Sequence, residues 1–102
     1  MKKYKYKNCP VEIRGQKFRS KLEARFASTL DWAKLAGEVD FYLRETRFDL
    51  PGGIFYYLDF MIFYSDGTIR FVECKGKDTR TSINKRKTVM DMYNIEIEVH
   101  RA

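Results

Sequence analysis

Two apolar segments of this chain are each interrupted by an acidic residue. Asp59 lies within the apolar run 54–64, and Glu73 follows a second apolar run and is separated by one residue from Lys75. Residues 65–67, Ser-Asp-Gly, are typical of a hairpin turn between two strands. Burying a carboxylate in an apolar strand is costly unless the group is paired or binds a cation. The sequence therefore predicts two neighbouring strands whose acidic residues serve something other than packing.

The spacing predicts that these charged side chains meet. Strand residues alternate between faces, so Glu73 and Lys75 point to the same side. A hairpin about 65–67 places Asp59 opposite Glu73, to within a couple of residues. Two carboxylates that close raise each other's pKa unless a cation lies between them. Mg²⁺ prefers such oxygen ligands, and Lys75 can orient a water or offset charge on a phosphate. The alternative is an exposed polar cluster with a weak surface ion pair.

The rest of the chain predicts one α/β domain. Its strands are joined by a hairpin, and the last strand follows a helical crossover, which predicts that it is parallel to its partner. The predicted elements are a short hairpin at 11–18, a helix at 20–36, an extended segment at 38–50, strands at 54–64 and 68–75, a helix at 82–93 ending at Asn94, and a strand at 95–99. The predicted inward residues are Leu22, Phe26, Leu30 and Ala33 in the first helix and Ile83, Met90 and Tyr93 in the second.

Glu23 has two readings. With Ser20 it forms the S-x-x-E pattern of a helix capping box. It also borders the apolar stripe of the helix, so it is a candidate third carboxylate of the site. The two roles are compatible, because a helix start can lie at the edge of a cleft.

Composition limits the partners of the chain. Its 102 residues form a single domain, 1–102, and the net charge of +6 favours polyanions, nucleic acid first. Cys9 and Cys74 are too few for a disulfide framework or a zinc site. We therefore expect a reducing, cytoplasmic setting. No signal peptide and no apolar run long enough to span a membrane is evident.

Basic residues flank the acidic ones. Arg14 and Lys17 precede the first helix and could flank the cleft from that side. His100 is predicted to be a surface residue without a catalytic role. Residues 1–8 alternate Lys and Tyr, which predicts a DNA-contacting arm, an edge strand or simply a solubilising terminus. An ordinary solvated helix face is the alternative for the basic residues of the second helix. The candidate DNA contacts are Arg19, Lys21, Lys77, Arg80, Lys85, Arg86 and Lys87.

Glu23 in a first helix, Asp59 in a strand and the run Glu73-Cys74-Lys75 resemble the PD-(D/E)xK nuclease superfamily. The resemblance covers residues 17–99. Within the superfamily, the chain is most similar to small phage-encoded nucleases and Holliday-junction-resolvase-like proteins. Leu58 stands where the motif has proline, a position that commonly varies. The implied fold is restriction-endonuclease-like, a mixed β-sheet flanked by helices with an αβββαβ core.

The resemblance implies hydrolysis of DNA phosphodiesters with Mg²⁺ or Mn²⁺, leaving 5′-phosphate and 3′-hydroxyl ends. Glu23, Asp59, Glu73 and Lys75 would be the catalytic residues. Asp59 and Glu73 would bind the metal, with the Cys74 backbone carbonyl as a candidate third ligand and Glu23 assisting, while Lys75 positions the water.

We expect a homodimer with no small-molecule cofactor. No base-reading module is evident, so we expect selectivity for DNA structure, such as branches or junctions. The rival expectation is a non-catalytic DNA-binding or assembly module that keeps the fold. A nuclease acting on RNA or single strands differs only in substrate.

Overall fold

The computed structural model describes residues 11–13 and 15–101 and has a mixed α/β fold, as predicted. The arm at 1–8, Cys9 and Arg14 lie outside the described residues. The elements are β1 (Val11–Ile13), β2 (Gln16–Phe18), α1 (Lys21–Leu35), β3 (Val39–Leu50), β4 (Ile54–Tyr64), β5 (Ile69–Cys74), α2 (Arg80–Tyr93) and β6 (Ile97–His100). Neither helix in this part of the chain has the length and apolar character needed to cross a bilayer.

The main sheet has the strand order β3-β4-β5-β6, and β1 pairs with β2 in a separate hairpin. Strands β3, β4 and β5 are antiparallel, with Phe60 opposite Val72 across the β4–β5 hairpin. Strand β6 is parallel to β5, with Phe71 opposite Ile97. Both predicted strand directions are confirmed. The sequential hairpins explain the first three strands, and the α2 crossover explains the fourth.

The two helices cover opposite faces of this sheet. Phe60 and Ile62 are fully buried and share a core cluster with Ala27 of α1. Met61, which lies between them in the strand, packs instead against the cluster that contains Val89 of α2. The alternation of side chains along β4 therefore supplies both cores, which is why this strand is apolar on both faces.

The buried face of α1 differs from the predicted one. Of the four residues expected to face inward, Leu30 is buried in the core cluster, and Phe26 and Ala33 are half-buried and pack against it. Leu22 is half-buried and lies outside that cluster. The small side chains on the true inner face allow the helix to approach the sheet closely, and the larger Phe26 packs beside it against Phe60. The residues buried in α1 are Glu23, Ala24, Ala27 and Leu30.

Helix α2 begins two residues before its predicted start, and its inner face agrees with the prediction only in part. Met90 packs against the core cluster as predicted, and Ile83 is half-buried. Thr79 caps it, accepting a hydrogen bond from the Ser82 N–H at 3.1 Å. Asn94 ends it in the left-handed conformation, as predicted. Tyr93, expected to point inward, is 42% exposed, and its hydroxyl donates to the Asp49 carbonyl oxygen at 2.8 Å. The buried residues of α2 are Arg86 and Val89.

Candidate active site

The predicted acidic residues line one small pocket, of about 90 Å³, where α1 begins and β5 ends. Glu23, Asp59 and Glu73 are 2%, 2% and 4% exposed, so three carboxylates are buried at one place in a 102-residue domain. Burial on this scale requires a compensating cation or hydrogen bonds. The pocket is lined by Arg19, Ser20, Glu23, Asp59, Glu73, Cys74, Lys75, Gly76 and Lys77.

The structure brings Asp59 and Glu73 together across the β4–β5 hairpin. The register that pairs Phe60 with Val72 places Asp59 opposite Glu73 one step further along. The Asp59 backbone N–H donates to Glu73 Oε1 at 3.4 Å, and the Cys74 N–H donates to Asp59 Oδ2 at 2.8 Å. The two acids therefore occupy the same end of the sheet, as the hairpin spacing predicts.

Glu23 combines a cap with a place in the site. Ser20 Oγ accepts from the Glu23 N–H at 3.2 Å, which is the serine half of the capping box. The carboxylate does not complete the box in its usual form, because Glu23 Oε1 accepts from the Arg19 N–H at 3.2 Å, one residue before the cap. That oxygen also lies 3.3 Å from Arg44 Nη2. The glutamate therefore faces the pocket from the first turn of α1.

Glu45 is a residue of the site that the sequence analysis missed. One carboxylate oxygen each from Glu23, Glu45 and Asp59 lies within 4.8 Å of the others. In the β3–β4 register, which pairs Arg44 with Phe60, Glu45 falls opposite Asp59. Folding the sequence about the turn at 51–53 would have revealed this juxtaposition. The alternating pattern of β3 gave no such signal, because Glu45 reads there as an ordinary exposed residue.

Glu73 is not part of this group of oxygens, although it lies opposite Asp59 across the hairpin. The predicted ligands Asp59, Glu73 and Glu23 stay a prediction, to which the structure adds Glu45 as a candidate. Glu73 is held by two other contacts: its Oε1 accepts from the Asp59 N–H, and its Oε2 lies 3.6 Å from Lys75 Nζ. Glu73 is therefore positioned between the acidic group and the lysine.

Burial makes the two central carboxylates reluctant to ionise. Desolvation, with the neighbouring charge of Glu73, raises the pKa of Asp59 to about 8, and the Arg19 guanidinium opposes this rise. Desolvation also raises the pKa of Glu73, against the opposing charge of Lys75. Acids whose pKa rises through burial beside like charges are typical of cation-binding and catalytic sites.

Three cations face these acids, each in a different way. Arg19 contacts Asp59 and lies 3.5 Å from both Glu23 Oε2 and Glu45 Oε1. Arg44 pairs with Glu23, and its guanidinium carbon lies 4.0 Å from the centroid of the Phe18 ring in β2. Lys75 is 22% exposed, and its Nζ lies 3.3 Å from Ser82 Oγ at the start of α2.

Most of the predicted DNA contacts lie where a polyanion can reach them. Lys21, Lys77, Arg80 and Lys87 are exposed, and Lys85 is half-buried. Lys77 is also part of the pocket lining. Of the other exposed members, Lys21 lies in the first turn of α1, and Arg80 and Lys87 lie on α2.

Arg86 is a correction to that set. It is 7% exposed and forms a paired contact with Asp78 through both terminal nitrogens. It lies on the inner face of α2 with Val89, so the guanidinium is turned toward the sheet. A buried guanidinium requires a carboxylate partner, and the loop residue Asp78 supplies it. Arg86 is therefore a structural residue of this fold instead of a surface contact.

Cys74 has a free thiol that is half-buried in the pocket wall. Burial, with Asp59 and Glu23 nearby, raises the pKa of the thiol to about 12. The thiol is therefore protonated near neutral pH in the metal-free protein. The predicted ligand at this position, the backbone carbonyl, stays a prediction.

Comparison with known proteins places the chain in a family but assigns it no activity. No curated protein matches it. A family model described as "Protein of unknown function (DUF1064)" matches residues 1–101. Because that match spans nearly the whole chain, the protein belongs to the DUF1064 family.

Proposed function

We propose that this protein is a divalent-metal-dependent DNA endonuclease that hydrolyses phosphodiester bonds. The observation that carries the proposal is the convergence of Glu23, Asp59, Glu73 and Lys75 on one pocket. The residues come from a helix start and two adjacent strands, the arrangement that the resemblance to PD-(D/E)xK nucleases implies. The net charge of +6 supports a polyanionic substrate.

The donor atoms of the pocket suit Mg²⁺ or Mn²⁺. Carboxylate oxygens are the ligands that these hard cations prefer, and Glu23, Glu45 and Asp59 hold three of them within 4.8 Å of one another. Those residues would hold the ion, with Glu73 adjoining them. When bound, the ion would acidify a water and stabilise charge on the phosphate.

The protein groups around that centre have separable roles. Lys75 would position the attacking water. Its ammonium would be held in place by Glu73 Oε2, at 3.6 Å from Nζ, and by Ser82 Oγ, at 3.3 Å. The water oxygen forms a new bond to phosphorus while the bond from phosphorus to the 3′-oxygen breaks. The departing 3′-oxygen takes up a proton. The products are a 5′-phosphate and a 3′-hydroxyl.

The exposed basic residues around the opening would bind the DNA backbone. Lys77 lines the pocket, Lys21 follows the lining residue Ser20, and Arg80 and Lys87 are exposed on α2. Phosphate contacts position a duplex but do not read its sequence. We therefore propose selectivity for DNA structure, with branched DNA or junctions as the preferred substrate. We also propose a homodimer, because a small single-site nuclease that cuts both strands usually works as a dimer with two symmetry-related sites.

A cleavage panel tests this function. Purified protein is incubated with duplex, single-strand, flap, fork and four-way-junction DNA in Mg²⁺ or Mn²⁺. We expect cutting of branched DNA by the wild type and none by Asp59→Asn. Asp91→Asn, an exposed acid on α2, is the matched control and should cut normally. Cleavage by Asp59→Asn at the wild-type rate would exclude the assigned site.

One observation favours a second function. Arg19 gives the buried carboxylates a protein partner, as a purely structural ion-pair network would require. The rival is a DNA-binding or assembly module without catalysis. It predicts salt-sensitive DNA binding, no cleavage, and no heat of Mg²⁺ or Mn²⁺ binding by calorimetry.

A further inference from the structure

We propose that Arg19 is an internal counter-cation that a divalent ion displaces, and that the released guanidinium then binds the substrate phosphate. This inference rests on the proposed nuclease function. Its starting point is that Arg19 contacts Glu23, Glu45 and Asp59, and the same three residues form the candidate ligand group. A side chain of the protein therefore lies where the metal ligands converge.

The guanidinium and a divalent ion exclude each other at this place. Magnesium binds oxygen at about 2.0–2.1 Å and demands near-octahedral geometry. Arg19 instead holds oxygens of Glu23 and Glu45 at 3.5 Å from its nitrogens and contacts Asp59 directly. Two cations inside one cluster of carboxylates also repel each other. Binding of the metal therefore requires Arg19 to leave its three partners.

Arg19 is free to leave because little of it is packed. Its side chain is 59% exposed, and it precedes Ser20, the cap residue, so it lies outside α1. Arg44 provides the contrast. It is 21% exposed, its guanidinium lies over the Phe18 ring, and its Nη2 donates to the Lys17 carbonyl oxygen at 2.8 Å. One arginine is displaceable and the other is anchored.

The charge of the network also fits an exchange. With all four carboxylates ionised, as a bound divalent ion favours, the ion pairs join them to Arg19, Arg44 and Lys75 for a formal charge of −1. With Arg19 withdrawn, the same network carries −2, the complement of a divalent ion. The exchange thus replaces the single positive charge of Arg19, which three acids share, by the double positive charge of a metal ion, which balances the network.

The displaced guanidinium has a use at the opening. Arginine presents a planar fork of donors that matches two phosphate oxygens. Arg19 lies two residues before Lys21 in sequence and shares the pocket lining with Lys77. A DNA phosphate brought to this pocket would therefore find the fork available only after the metal has entered. Metal and DNA should then strengthen each other's binding, and this coupling must be reciprocal.

Arg19→Met tests the exchange, because it removes the charge and the guanidinium fork but keeps an unbranched, flexible side chain. Mg²⁺ and Mn²⁺ binding is measured by titration calorimetry on protein stripped with EDTA. We expect the variant to bind Mn²⁺ about tenfold more tightly than the wild type, or ~1.4 kcal/mol. Arg70→Met is the matched control, since Arg70 is exposed and pairs with Glu98 and Tyr64, away from the pocket. It should leave metal affinity unchanged.

A second measurement follows the coupling in a Lys75→Met background, so that DNA is not consumed. Fluorescence anisotropy with a labelled junction should show Mg²⁺ strengthening DNA binding when Arg19 is present, and a much smaller effect with Arg19→Met. Arg19→Lys keeps a cation but loses the fork, so it should keep nearly wild-type metal affinity and weaker coupling. It provides the comparison if the methionine variant does not fold.

The outcomes separate this inference from the function on which it rests. If the wild type binds metal and cuts DNA, but Arg19→Met binds metal no more tightly, the exchange is wrong and the nuclease proposal stands. If the wild type binds no divalent ion, both fail. Tighter metal binding together with lost metal–DNA coupling supports both parts of the exchange.

Discussion

Glu45 faces Asp59 across the β3–β4 hairpin, and it does so in a left-handed backbone conformation with φ of 55°. A non-glycine residue rarely adopts this conformation, because its Cβ crowds the backbone. Within the described part of β3, the conformation occurs where the strand passes the acidic pocket. The carboxylate of Glu45 and the strain at its backbone can be separated by mutation.

Replacing Glu45 by Gly or by Gln removes the same carboxylate with different effects on the backbone. We expect both variants to bind Mn²⁺ about tenfold more weakly, since each loses one oxygen ligand, ~1.4 kcal/mol. The glycine variant should be more stable than the glutamine variant by about 1 kcal/mol, because glycine tolerates positive φ. Calorimetry and urea unfolding check the two parts. Unchanged metal affinity in both variants would remove Glu45 from the ligand group.

The stability of the metal-free protein should depend on pH through Asp59. Its pKa is raised from its usual 3.8 to about 8 in the folded state. An acid of this kind stabilises the fold fully below its unfolded pKa, and the contribution is lost as pH rises through the folded pKa. In EDTA, the free energy of unfolding should therefore decline from about pH 4 to above pH 8. In Asp59→Asn the decline should be much smaller; parallel declines in both proteins would contradict the assignment.

Divalent metal should reverse that dependence. A bound cation favours ionised Asp59, so binding releases a proton and tightens as pH rises toward the raised pKa. We expect saturating Mg²⁺ to increase the unfolding temperature more at pH 8 than at pH 6, because a ligand of the folded state stabilises it by mass action. Thermal unfolding at the two pH values, with Asp59→Asn as the control, measures this difference. An equal Mg²⁺ shift at both values would argue against displacement of a proton.

Arg86 and Lys87 are adjacent in sequence but should behave in opposite ways. Arg86→Met leaves Asp78 without its main partner, and breaking a buried ion pair typically costs about 3–5 kcal/mol. Because Arg101 also lies 3.4 Å from Asp78, we expect the lower end of that range. Lys87→Met should leave stability unchanged, weaken DNA binding and reduce its salt slope by about 1. Urea unfolding and salt-dependent anisotropy distinguish the two. A stable Arg86→Met protein with reduced DNA affinity would restore Arg86 to the DNA-binding set.

Local sequence patterns predicted much of this fold. The turn at 65–67 and the alternation of β4 and β5 placed Asp59 opposite Glu73, because a short hairpin determines its own register. Ser20 marked the start of α1 and Asn94 the end of α2, since capping depends on hydrogen bonds within a few residues. Each of these features depends on interactions between residues that are close together in the sequence.

The features that were missed depend on how the elements and loops pack in three dimensions. The inner face of α1 was predicted from its largest apolar residues, but close packing on the sheet favoured Ala24 and Ala27. Arg86 was read as a solvated charge because its partner, Asp78, lies in a loop whose path the sequence does not indicate. Hydrophobicity alone does not identify a buried charge whose burial depends on a specific partner.

The sequence by itself determined which acids lie at neighbouring strand ends, because strand alternation and hairpin register are local properties of the backbone. Only the tertiary structure decided that Glu23 joins Asp59 and Glu45, because the packing of α1 against the sheet brings its first turn to these two residues. It also decided that Arg19 contacts all three members of this group. The physical reason is that electrostatic energies depend on distances between side chains, and packing of the whole domain sets those distances.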